Sequence, residues 1–583
     1  MNRTLYPQTK IEWYDNSQIT PLSFDTDNSP LFLCAFTSDK GPEDMREVSG
    51  VDFFNLYGND ISFARHGQAL LQTAAAINSG ARVLAKRFVA SDAKLANTIV
   101  SIKIETEPQL PTEEEITSIK YTFKTTTVEA DDKSSIDLAA AALLNEGQNT
   151  YPLFAIYDVG RGVSNKKFRI SPDFSSSKYL SFLQYRIDII ENSEILESLY
   201  FSINPNLIYN DSNYSIANVI NNNSSQVKSS IYEDGVNKFI EKMASILKKT
   251  TNEIYNMDIL FGNEKTGVAN ELFTTTEESI NLNHIYGIGL QSGSNGSFGD
   301  APINAINYGD ELLKVFNGEA TTDIYDVVNY QIDAVIDANY PAETKRAIEA
   351  LAEFRQDFFY FRDLGFVNTI AQMKIVHQQA VKNKFSASYH SSYDIIDPYS
   401  KKQIKVTIGY SLSKLLVNHF KNGRHRPVAG KLNNMVITDA IPGTINFLPR
   451  KTPSYDEFEQ LNDLAINYVT YYQDDLVLDL EYTCQEEYTD LSFINNVLAV
   501  QELIKELRIK CPVNRYTFLD GDDFTSYKKD IERIIEKYNF SFATIEFVYT
   551  QDETMIQNNI FYAEIKVKSR NFIQAEYFKI FNI

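Results

Sequence analysis

The sequence predicts a multidomain α/β (α+β) protein whose discontinuous α/β core is built from N-terminal and C-terminal parts of the chain. Three observations lead to this prediction. Strand, helix, strand patterns occur near the N-terminus and again after residue 284, a β-rich region lies between them, and residues 1–28 are polar without sustained periodicity. At 583 residues the chain is also too long for one hydrophobic core, so several domains are expected.

These patterns divide the chain into six segments. They are an N-terminal arm (1–28), a first part of the core (29–100), an inserted β-rich and surface-exposed region (101–283), an α/β part (284–450), a C-terminal helical part of the core (451–560) and a C-terminal strand or arm (561–583). In the last segment, FYAEIKVKS alternates so that Phe561, Ala563, Ile565 and Val567 face one way. The segment FIQAEYFKIFNI then either pairs with this strand or leaves the body, and a β-prone end that leaves is suited to a neighbour's sheet edge.

The first part of the core has the outline of an α/β unit. LFLCAF is a short apolar run suited to a buried strand. In SFARHGQALLQTAAAINSG, Leu70, Ala74 and Ile77 share a helical face and Gly80 occupies a C-cap position. ARVLAKRFVA alternates as a strand would, which completes the unit.

In the inserted region, IVSIKIETE and SIKYTFKTTTVEA read as antiparallel strands with one face in water, followed by a helix at SSIDLAAAALLNEG. The run at 209–230 is rich in Asn and Ser and is expected to be a loop or exposed excursion.

After residue 284 the α/β pattern returns. Pro341 opens a helix, DFFYFRDLG reads as a strand, and a further helix follows. The apolar faces of the first and second helix contain Ala347, Leu351, Phe354 and Phe358, and Ile370, Met373, His377 and Ala380. Nearer the C-terminus three further helices are predicted, with faces Phe458, Leu461, Ala465, Tyr468, Tyr472; Phe493, Val497, Val500, Ile504, Leu507; and Phe524, Tyr527, Ile531, Ile534, Tyr538.

Composition excludes several classes of function. With 55 basic and 77 acidic side chains the formal charge is −22, so the field of the protein repels nucleic acid. Three widely separated cysteines, Cys34, Cys484 and Cys511, indicate reduced residues of a protein made in a cytoplasm. The N-terminal residues have no apolar core of signal-peptide length, and no stretch reaches the ~20 apolar residues of a membrane span, so we expect a soluble protein.

The sequence offers no catalytic, cofactor or metal constellation. The histidines, none of which has metal-ligand spacing to a Cys or an acid, are His66, His284, His377, His390, His419 and His425. The Gly-rich stretch IYGIGLQSGSNGSFGD lacks the ending of a P-loop and the dinucleotide fingerprint. Cys34 lies in a run too apolar to stabilise a thiolate.

One basic spot, KNGRHRP with Arg424, His425 and Arg426, allows a contact with an anion or an acidic partner, although a solvated loop is favoured. Because the sequence offers no catalytic or cofactor-binding constellation, we expect no enzyme and no cofactor.

Several segments are similar to one known family. PLFLCAFTSDKGPEDMREVSGVDFFNLYG and ARHGQALLQTAAAINSGARVLAKRFV resemble the opening of contractile tail sheath proteins in order, spacing and residue type. FAIYDVGRGVSNKKFRI resembles the family's glycine-bearing turn and following strand, and IGLQSGSNG its loop that re-enters the main domain. The helices around VNRYTFLD also resemble the end domain. DLVLDLEYTC departs from the Gly-Ala-Arg-Thr-like strand of many members, and residues 101–150 match no part of the family.

The resemblance implies a structural subunit of a bacteriophage tail. Copies of the chain would stack as hexameric rings around a tail tube, joined by exchanged strands, and would contract to drive the tube through the host envelope for genome delivery. The partners implied are the chain itself, the tail tube protein, and the baseplate and tail terminator proteins. The location implied is the virion tail, after assembly in the host cytoplasm. Residues of the two arms expected to exchange strands are Ile11, Trp13, Phe561, Ala563, Ile565, Val567, Tyr577, Phe578 and Ile580.

Two alternatives stay open at this point. The first is the sheath of another contractile injection machine, such as a bacteriocin or a secretion system. The second, from a different class, is an α/β enzyme, which would require a clustered set of perturbed acids or histidines in one pocket.

Overall fold

The computed structural model describes residues 29–105, 119–172, 185–209, 211–255, 259–261, 273–511, 521–549, 557–558 and 560–572. The predicted N-terminal arm and residues 573–583 therefore lie outside the described residues. Within those ranges, no helix combines the length and apolar character that crossing a bilayer requires.

Helices occur throughout the described chain. In chain order they are α1 Gly50–Tyr57, α2 Phe63–Asn78, α3 Lys133–Leu143, α4 Ile216–Asn223, α5 Glu233–Leu247, α6 Thr251–Tyr255, α7 Tyr308–Phe316, α8 Ala342–Arg355, α9 Ile370–His377, α10 Gly409–Asn422, α11 Glu457–Asp463, α12 Ile494–Lys510 and α13 Gly521–Lys537. Short 3-10 turns lie at Glu146–Gln148, Gly296–Phe298, Pro302–Asn304, Thr322–Tyr325, Lys431–Asn433 and Asp490–Ser492.

Strands form several separate sheets. In chain order they are β1 Leu31–Phe36, β2 Arg46–Ser49, β3 Arg82–Arg87, β4 Asn97–Glu105, β5 Ile119–Thr126, β6 Thr150–Asp158, β7 Lys167–Pro172, β8 Tyr185–Glu191, β9 Glu194–Phe201, β10 Ile208–Tyr209, β11 Ser212–Asn213, β12 Val227–Ile231, β13 Phe273–Thr275, β14 Ile288–Gly289, β15 Ala334–Ile336, β16 Phe359–Asp363, β17 Ser386–His390, β18 Ser392–Ile396, β19 Gln403–Thr407, β20 Val436–Ile437, β21 Lys451–Thr452, β22 Tyr455–Asp456, β23 Ile466–Tyr472, β24 Asp475–Asp479, β25 Thr544–Tyr549 and β26 Ala563–Lys568.

The central sheet of the described chain has the order β2-β3-β1-β15-β16-β17-β23-β24-β20. Its inner strands, from β3 to β23, run parallel, and antiparallel strands close both sides. Phe32 of β1 is paired with Ala334 of β15, so N-terminal and C-terminal parts of the chain meet in mid-sheet. This confirms the predicted discontinuous α/β core.

Parallel strands need crossover connections, and helices supply them. Helix α2 connects β1 to β3 and buries Leu70, Ala74 and Ile77, as its periodicity predicted. The helices α7, α8 and α10 share one continuous apolar core with the sheet. The runs LFLCAF and FYFRD are buried along almost their whole length, as is typical of parallel strands covered on both faces.

The inserted region has a hydrophobic core of its own. It contains a five-stranded sheet, β12-β6-β4-β5-β13, and a four-stranded sheet, β14-β7-β8-β9, which pack together with α4 and α5. The predicted antiparallel pairing of β4 with β5 is confirmed. The predicted wet face of β4 is wrong, because α3 covers Ile99 on that side while Val100 and Ile102 face the main cluster.

The Asn-rich and Ser-rich run at 209–230 is not the loop or exposed excursion that was predicted. It contains α4 and most of the buried edge strand β12. Asn221 replaces a neighbouring strand for Ser229, since its side-chain amide donates to the Ser229 carbonyl and its side-chain oxygen accepts the Ser229 N–H, at 2.9 and 3.0 Å. Side chains that mimic backbone groups thus allow a polar sequence to be buried.

The predicted helix over Phe458–Tyr472 is wrong in its second half. Helix α11 ends at Asp463, Ala465 has a φ of 53°, and β23 follows. The segment INYVTYY, rich in β-branched and aromatic residues, pairs with β17 on one side and β24 on the other. Two strand partners outweigh an apolar repeat that fits a helix only approximately.

The helix after Pro341 is confirmed, but part of its predicted face is wrong. Helix α8 ends at Arg355, because Gln356 adopts a left-handed conformation with a φ of 61°. Phe358 consequently lies beyond the helix, and Phe354 is exposed over 66% of its surface. Leu351 is buried as predicted, but the other apolar positions of the buried face are Ile348 and Ala352, each one residue after a predicted position.

Candidate assembly surface

Helix α12 carries apolar side chains on two sides. Ile494, Val497 and Leu498 are buried in the core of the central sheet. Leu503 and Leu507 belong to a separate cluster shared with α13 and the two-stranded sheet β25-β26. Helix α12 therefore attaches the C-terminal body, defined here as α13, β25 and β26, to the core.

Polar contacts fix where this attachment lies. Gln501 Nε2 donates to the carbonyl of Phe358, the residue that precedes β16, at 2.6 Å. Lys505 pairs with Asp333, the residue that precedes β15. The amino ends of the parallel strands thus face α12, and the C-terminal body lies at this end of the strands.

The inserted region joins the core at the opposite end of the parallel strands, near their carboxyl ends. The inserted region begins after β3. The chain returns to the core at Phe298, whose ring centroid lies 6.2 Å from that of Phe88. Phe88 directly follows the carboxyl end of β3, and Phe298 packs beside it in the same apolar cluster. The inserted region and the C-terminal body are therefore separated by the length of the central strands.

The sheet β25-β26 is small and open. Its strands pair antiparallel from Thr544–Lys568 to Tyr549–Ala563, and within the described residues no further strand joins either edge. Two strands alone are marginally stable, and unpaired edges are templates for strands of other chains. Such a sheet is suited to accept added strands.

Four residues predicted to exchange strands lie at this sheet. Ile565 and Val567 pack against the cluster of α12 and α13, and Ala563 is half-buried on β26. The ring of Phe561 stacks on that of Tyr549 at 5.4 Å. The predicted alternation is thus confirmed, while a role in strand exchange stays a prediction. The other residues named for exchange, namely Ile11, Trp13, Tyr577, Phe578 and Ile580, lie outside the described residues.

The described chain begins next to α12. The N–H of Leu31 donates to Asp333 Oδ2 at 2.8 Å, and the N–H of Asp333 donates to the Leu31 carbonyl at 2.8 Å. Asp333 also pairs with Arg424 and, on α12, with Lys505. The point where residues 1–28 join the core is therefore bound to the helix that carries the C-terminal body.

The chain also leaves the described body next to α12. The ring of Phe572 lies edge-to-face with that of Phe493, at 5.2 Å. Phe493 directly precedes α12 and also contacts Tyr482 and Tyr488. Both terminal segments consequently start near the amino ends of the parallel strands, where β25-β26 also lies.

Charge strengthens the N-terminal junction. Burial by itself would raise the pKa of the Asp333 carboxyl, but the positive charges of Arg424 and Lys505 outweigh burial and hold this pKa well below its usual range. Arg424 was expected in a solvated loop and is instead buried against Asp333. Sequence reasoning missed Asp333 itself, because its partners lie 91 and 172 residues away and no local pattern marks them.

Three glycine-bearing motifs singled out in the sequence meet at the junction with the inserted region. A Cβ on Gly160 would lie 2.2 Å from the Gly41 carbonyl, and one on Gly293 would lie 2.2 Å from the Gly162 carbonyl. These glycines are required by close approach of three backbone segments. The close approach at Gly293 explains why a glycine occupies that position of the Gly-rich loop.

Arginines close the same junction. Arg87 is buried and donates to the carbonyls of Ser38, Gly41 and Arg161 at 3.0 to 3.2 Å. Arg161 forms a bidentate pair with Glu43, at 2.7 and 3.1 Å. Burial would raise the pKa of Glu43, yet its bonds with Arg161 lower it. The inserted region is therefore bound to the core by polar contacts as well as by shape.

One further polar cluster lies in the interior. His377 Nδ1 lies 2.9 Å from Ser388 Oγ, which lies 3.5 Å from Cys484 Sγ, but all three residues are buried. Burial lowers the pKa of His377 to about 4 and raises that of Cys34 to about 12. In the described part of the chain no group of His, Cys, Asp and Glu has the arrangement of a metal site.

Comparison with solved structures returns sheath proteins. A sheath tail protein from Listeria innocua matches with a TM-score of 0.49 and 8% identity over 94% of this chain and 96% of that chain. A sheath tail protein from Desulfitobacterium hafniense matches with a TM-score of 0.43 and 10% identity, over 96% and 100%. The contracted helical sheath of the anti-feeding prophage matches with a TM-score of 0.33 and 12% identity, over 43% and 70%.

This chain is similar to solved sheath proteins. No protein-family model and no curated protein matches the sequence. Because these TM-scores are below 0.5 and the identities are 12% or less, the function proposed below rests on the residues and contacts of the chain itself.

Proposed function

We propose that this chain is a contractile sheath subunit that assembles with copies of itself through exchanged strands. One observation carries the proposal. Both terminal segments start near the amino ends of the parallel strands, and the sheet β25-β26 at this end of the core has two unpaired strand edges within the described residues. Arms that start beside such a sheet are suited to reach the corresponding sheet of a neighbouring copy. The resemblance of residues 30–92 to the sheath family supports the same function.

Strand exchange suits a lattice that has to change shape. A strand added to β25-β26 contributes main-chain hydrogen bonds, while Ile565 and Val567 already cover the cluster on α12. The arm between two copies can then bend while the added strand stays paired. Rings of subunits could slide and rotate in this way without losing their connections.

The finer proposal is a bacteriophage tail. Copies of the chain would form hexameric rings around a tail tube, bounded by baseplate and tail terminator proteins, and contraction would drive the tube into the host. The inserted region, at the edge opposite to the arms, would then be free to lie on the outer surface. The sheath of a bacteriocin or of a secretion system is the alternative, because the proposed strand exchange would serve it equally.

An enzymatic function has less support. The clusters of His377, Ser388 and Cys484, and of Asp337, Tyr360 and Lys345, are buried, and each is occupied by internal hydrogen bonds. Buried and internally bonded side chains of this kind stabilise an interior.

Negative-stain electron microscopy of the purified full chain, concentrated without any tube protein, tests the assembly. We expect hollow, striated tubes. A matched variant replaces residues 573–583 by a Gly-Ser segment of equal length and should remain a folded monomer. If the full chain stays monomeric at every concentration, self-assembly is wrong and the enzymatic alternative has to be pursued by activity screens.

A further inference from the structure

An exposed pair of aromatic rings, with an exposed valine on the same loop as one of them, lies near the start of the described chain. The rings of Tyr325 and Phe354 lie edge-to-face with centroids 5.4 Å apart. Phe354 is exposed over 66% and Val328 over 65% of their surfaces. We call Tyr325, Val328 and Phe354 the aromatic platform.

A buried arginine holds the platform in shape. Arg355, which follows Phe354, is fully buried and forms an ion pair with Asp357 at 2.9 Å. Its guanidinium also donates to the carbonyls of Ile324 and Asp326, at 2.5 and 3.3 Å, and to that of Tyr330. The loop that carries Tyr325 and Val328 is therefore tied to the end of α8.

Local hydrogen bonds also hold the loop that carries Tyr325 and Val328 in place. The Tyr325 hydroxyl donates to the Asn317 carbonyl at 2.9 Å, and Asp326 Oδ1 accepts the N–H of Val328 at 2.9 Å. Both apolar residues of the loop are consequently held in place although they face water. Large apolar side chains that are ordered before binding cost little entropy when a partner covers them, which is typical of binding hot spots.

The aromatic platform lies next to the root of the N-terminal arm. Arg355 binds the carbonyl of Tyr330, which lies three residues before Asp333, and Asp333 is hydrogen-bonded to Leu31 in both directions. From residue 29 back to Trp13 the chain can span roughly 50 Å when extended, at about 3.3 Å per residue. The arm is thus long enough to reach the platform of its own subunit.

We propose that residues 1–28, through the segment IEWY with Ile11, Trp13 and Tyr14, bind the aromatic platform of the same chain before assembly. This inference rests on the proposed function, in which the arm later pairs with a neighbouring copy. Tethering places the segment at a high effective concentration near the platform, so the intrachain contact forms before a second copy is met. Release of the arm then becomes a step of assembly, and premature polymerisation is slowed.

The chain supplies its own probe, since Trp13 is the one tryptophan in 583 residues. Tryptophan fluorescence of the full chain, at concentrations where it is monomeric, reports the surroundings of Trp13 alone. We expect emission at shorter wavelength than that of the urea-unfolded chain. The variant Phe354→Gln removes a platform ring and keeps helix propensity, so its emission should shift to that of the unfolded chain.

The matched control is Ile375→Gln, which removes an apolar side chain exposed over 61% of its surface on α9. It should leave the emission unchanged, and both variants should keep the circular dichroism of the wild type. The proposal is overturned if Trp13 emits as in the unfolded chain already in the wild type, or if Phe354→Gln leaves a short-wavelength emission in place.

Two further results separate the sources of a shift. Short-wavelength emission that develops only as the concentration rises would assign the platform to the arm of a second copy, and the intrachain contact would be wrong. If wild-type tubes form, Phe354→Gln should shorten the lag before assembly seen by light scattering. Absence of tubes contradicts the proposed function, but the fluorescence result is obtained on the monomer and is independent of it.

Discussion

Leu31 and Asp333 exchange two hydrogen bonds of 2.8 Å, one through the Asp333 carboxylate and one through its backbone N–H. The first strand of the core is thereby bound to a residue that also pairs with Arg424 and Lys505. Strand β1, Arg424 and helix α12 thus meet at a single buried carboxylate.

Replacing this carboxylate should be costly. In Asp333→Asn two buried cations lose their counter-charge, and we expect the free energy of unfolding of the core to fall by about 3–5 kcal/mol, measured by urea denaturation at neutral pH. Asp475→Asn, which removes the exposed ion pair with Lys431, is the control and should barely move the midpoint. Equal midpoints for both variants would contradict a stabilising role of Asp333.

The contribution of Asp333 should also depend on pH in a defined direction. Its pKa is depressed in the folded chain, so the stabilisation is complete above the unfolded pKa of ~3.9 and is lost only as the pH falls through the lower folded value. The difference between wild type and Asp333→Asn should therefore stay constant from neutral pH to about pH 5 and narrow in stronger acid. Urea midpoints in a pH series check this.

Glu481 should show the opposite dependence. Burial raises the pKa of its carboxyl to about 8, although the backbone N–H groups of Val428 and Asn495 donate to it, the latter to Oε1 at 2.9 Å. Because the folded chain then holds a proton that the unfolded chain loses near ~4.3, wild-type stability should fall as the pH rises to about 8, by at most ~1.4 kcal/mol per unit.

The variant Glu481→Gln is neutral throughout and should lack this decline. Relative to wild type it should become more stable between about pH 5 and about pH 8, with no further gain above that range. The control Glu486→Gln changes an exposed acid. Parallel curves for wild type and Glu481→Gln would show that Glu481 ionises normally in the folded chain.

The glycine junction can be tested sterically. Neither Gly160 nor Gly289 has a positive φ, but an added Cβ would meet the Gly41 carbonyl at 2.2 Å at the first position and nothing within 4 Å at the second. Gly160→Ala should destabilise by about 1–3 kcal/mol, and Gly289→Ala should have little effect. Limited proteolysis between the core and the inserted region measures the outcome, and equal cleavage of both variants would contradict the close packing.

The terminal arms should be dispensable for folding and required for assembly. Deleting residues 1–20 or 573–583 leaves the described core intact, so circular dichroism and melting should not change. Polymerisation should be lost in both cases, because in the proposed assembly each deletion removes a strand donor. Ordered tubes from either truncated chain, seen by electron microscopy, would rule out strand exchange by that arm.

The sequence by itself determined the features that depend on neighbouring residues. The buried run at Leu31–Phe36, the helix face of Leu70, Ala74 and Ile77, and the closing alternation from Phe561 to Val567 all follow from local periodicity. A short period is visible in sequence because it repeats within one element. These elements were sufficient to predict an interrupted α/β core with a β-rich insertion.

Only the tertiary structure decided the features that depend on distant partners. INYVTYY became a strand because β17 and β24 lie on either side of it, and the Asn-rich run was buried because Asn221 pairs with Ser229. The contacts of Asp333, and the meeting of Gly41, Gly160 and Gly293, join segments that the sequence keeps far apart. Such contacts leave no periodic trace, since the stabilising partner belongs to another part of the chain.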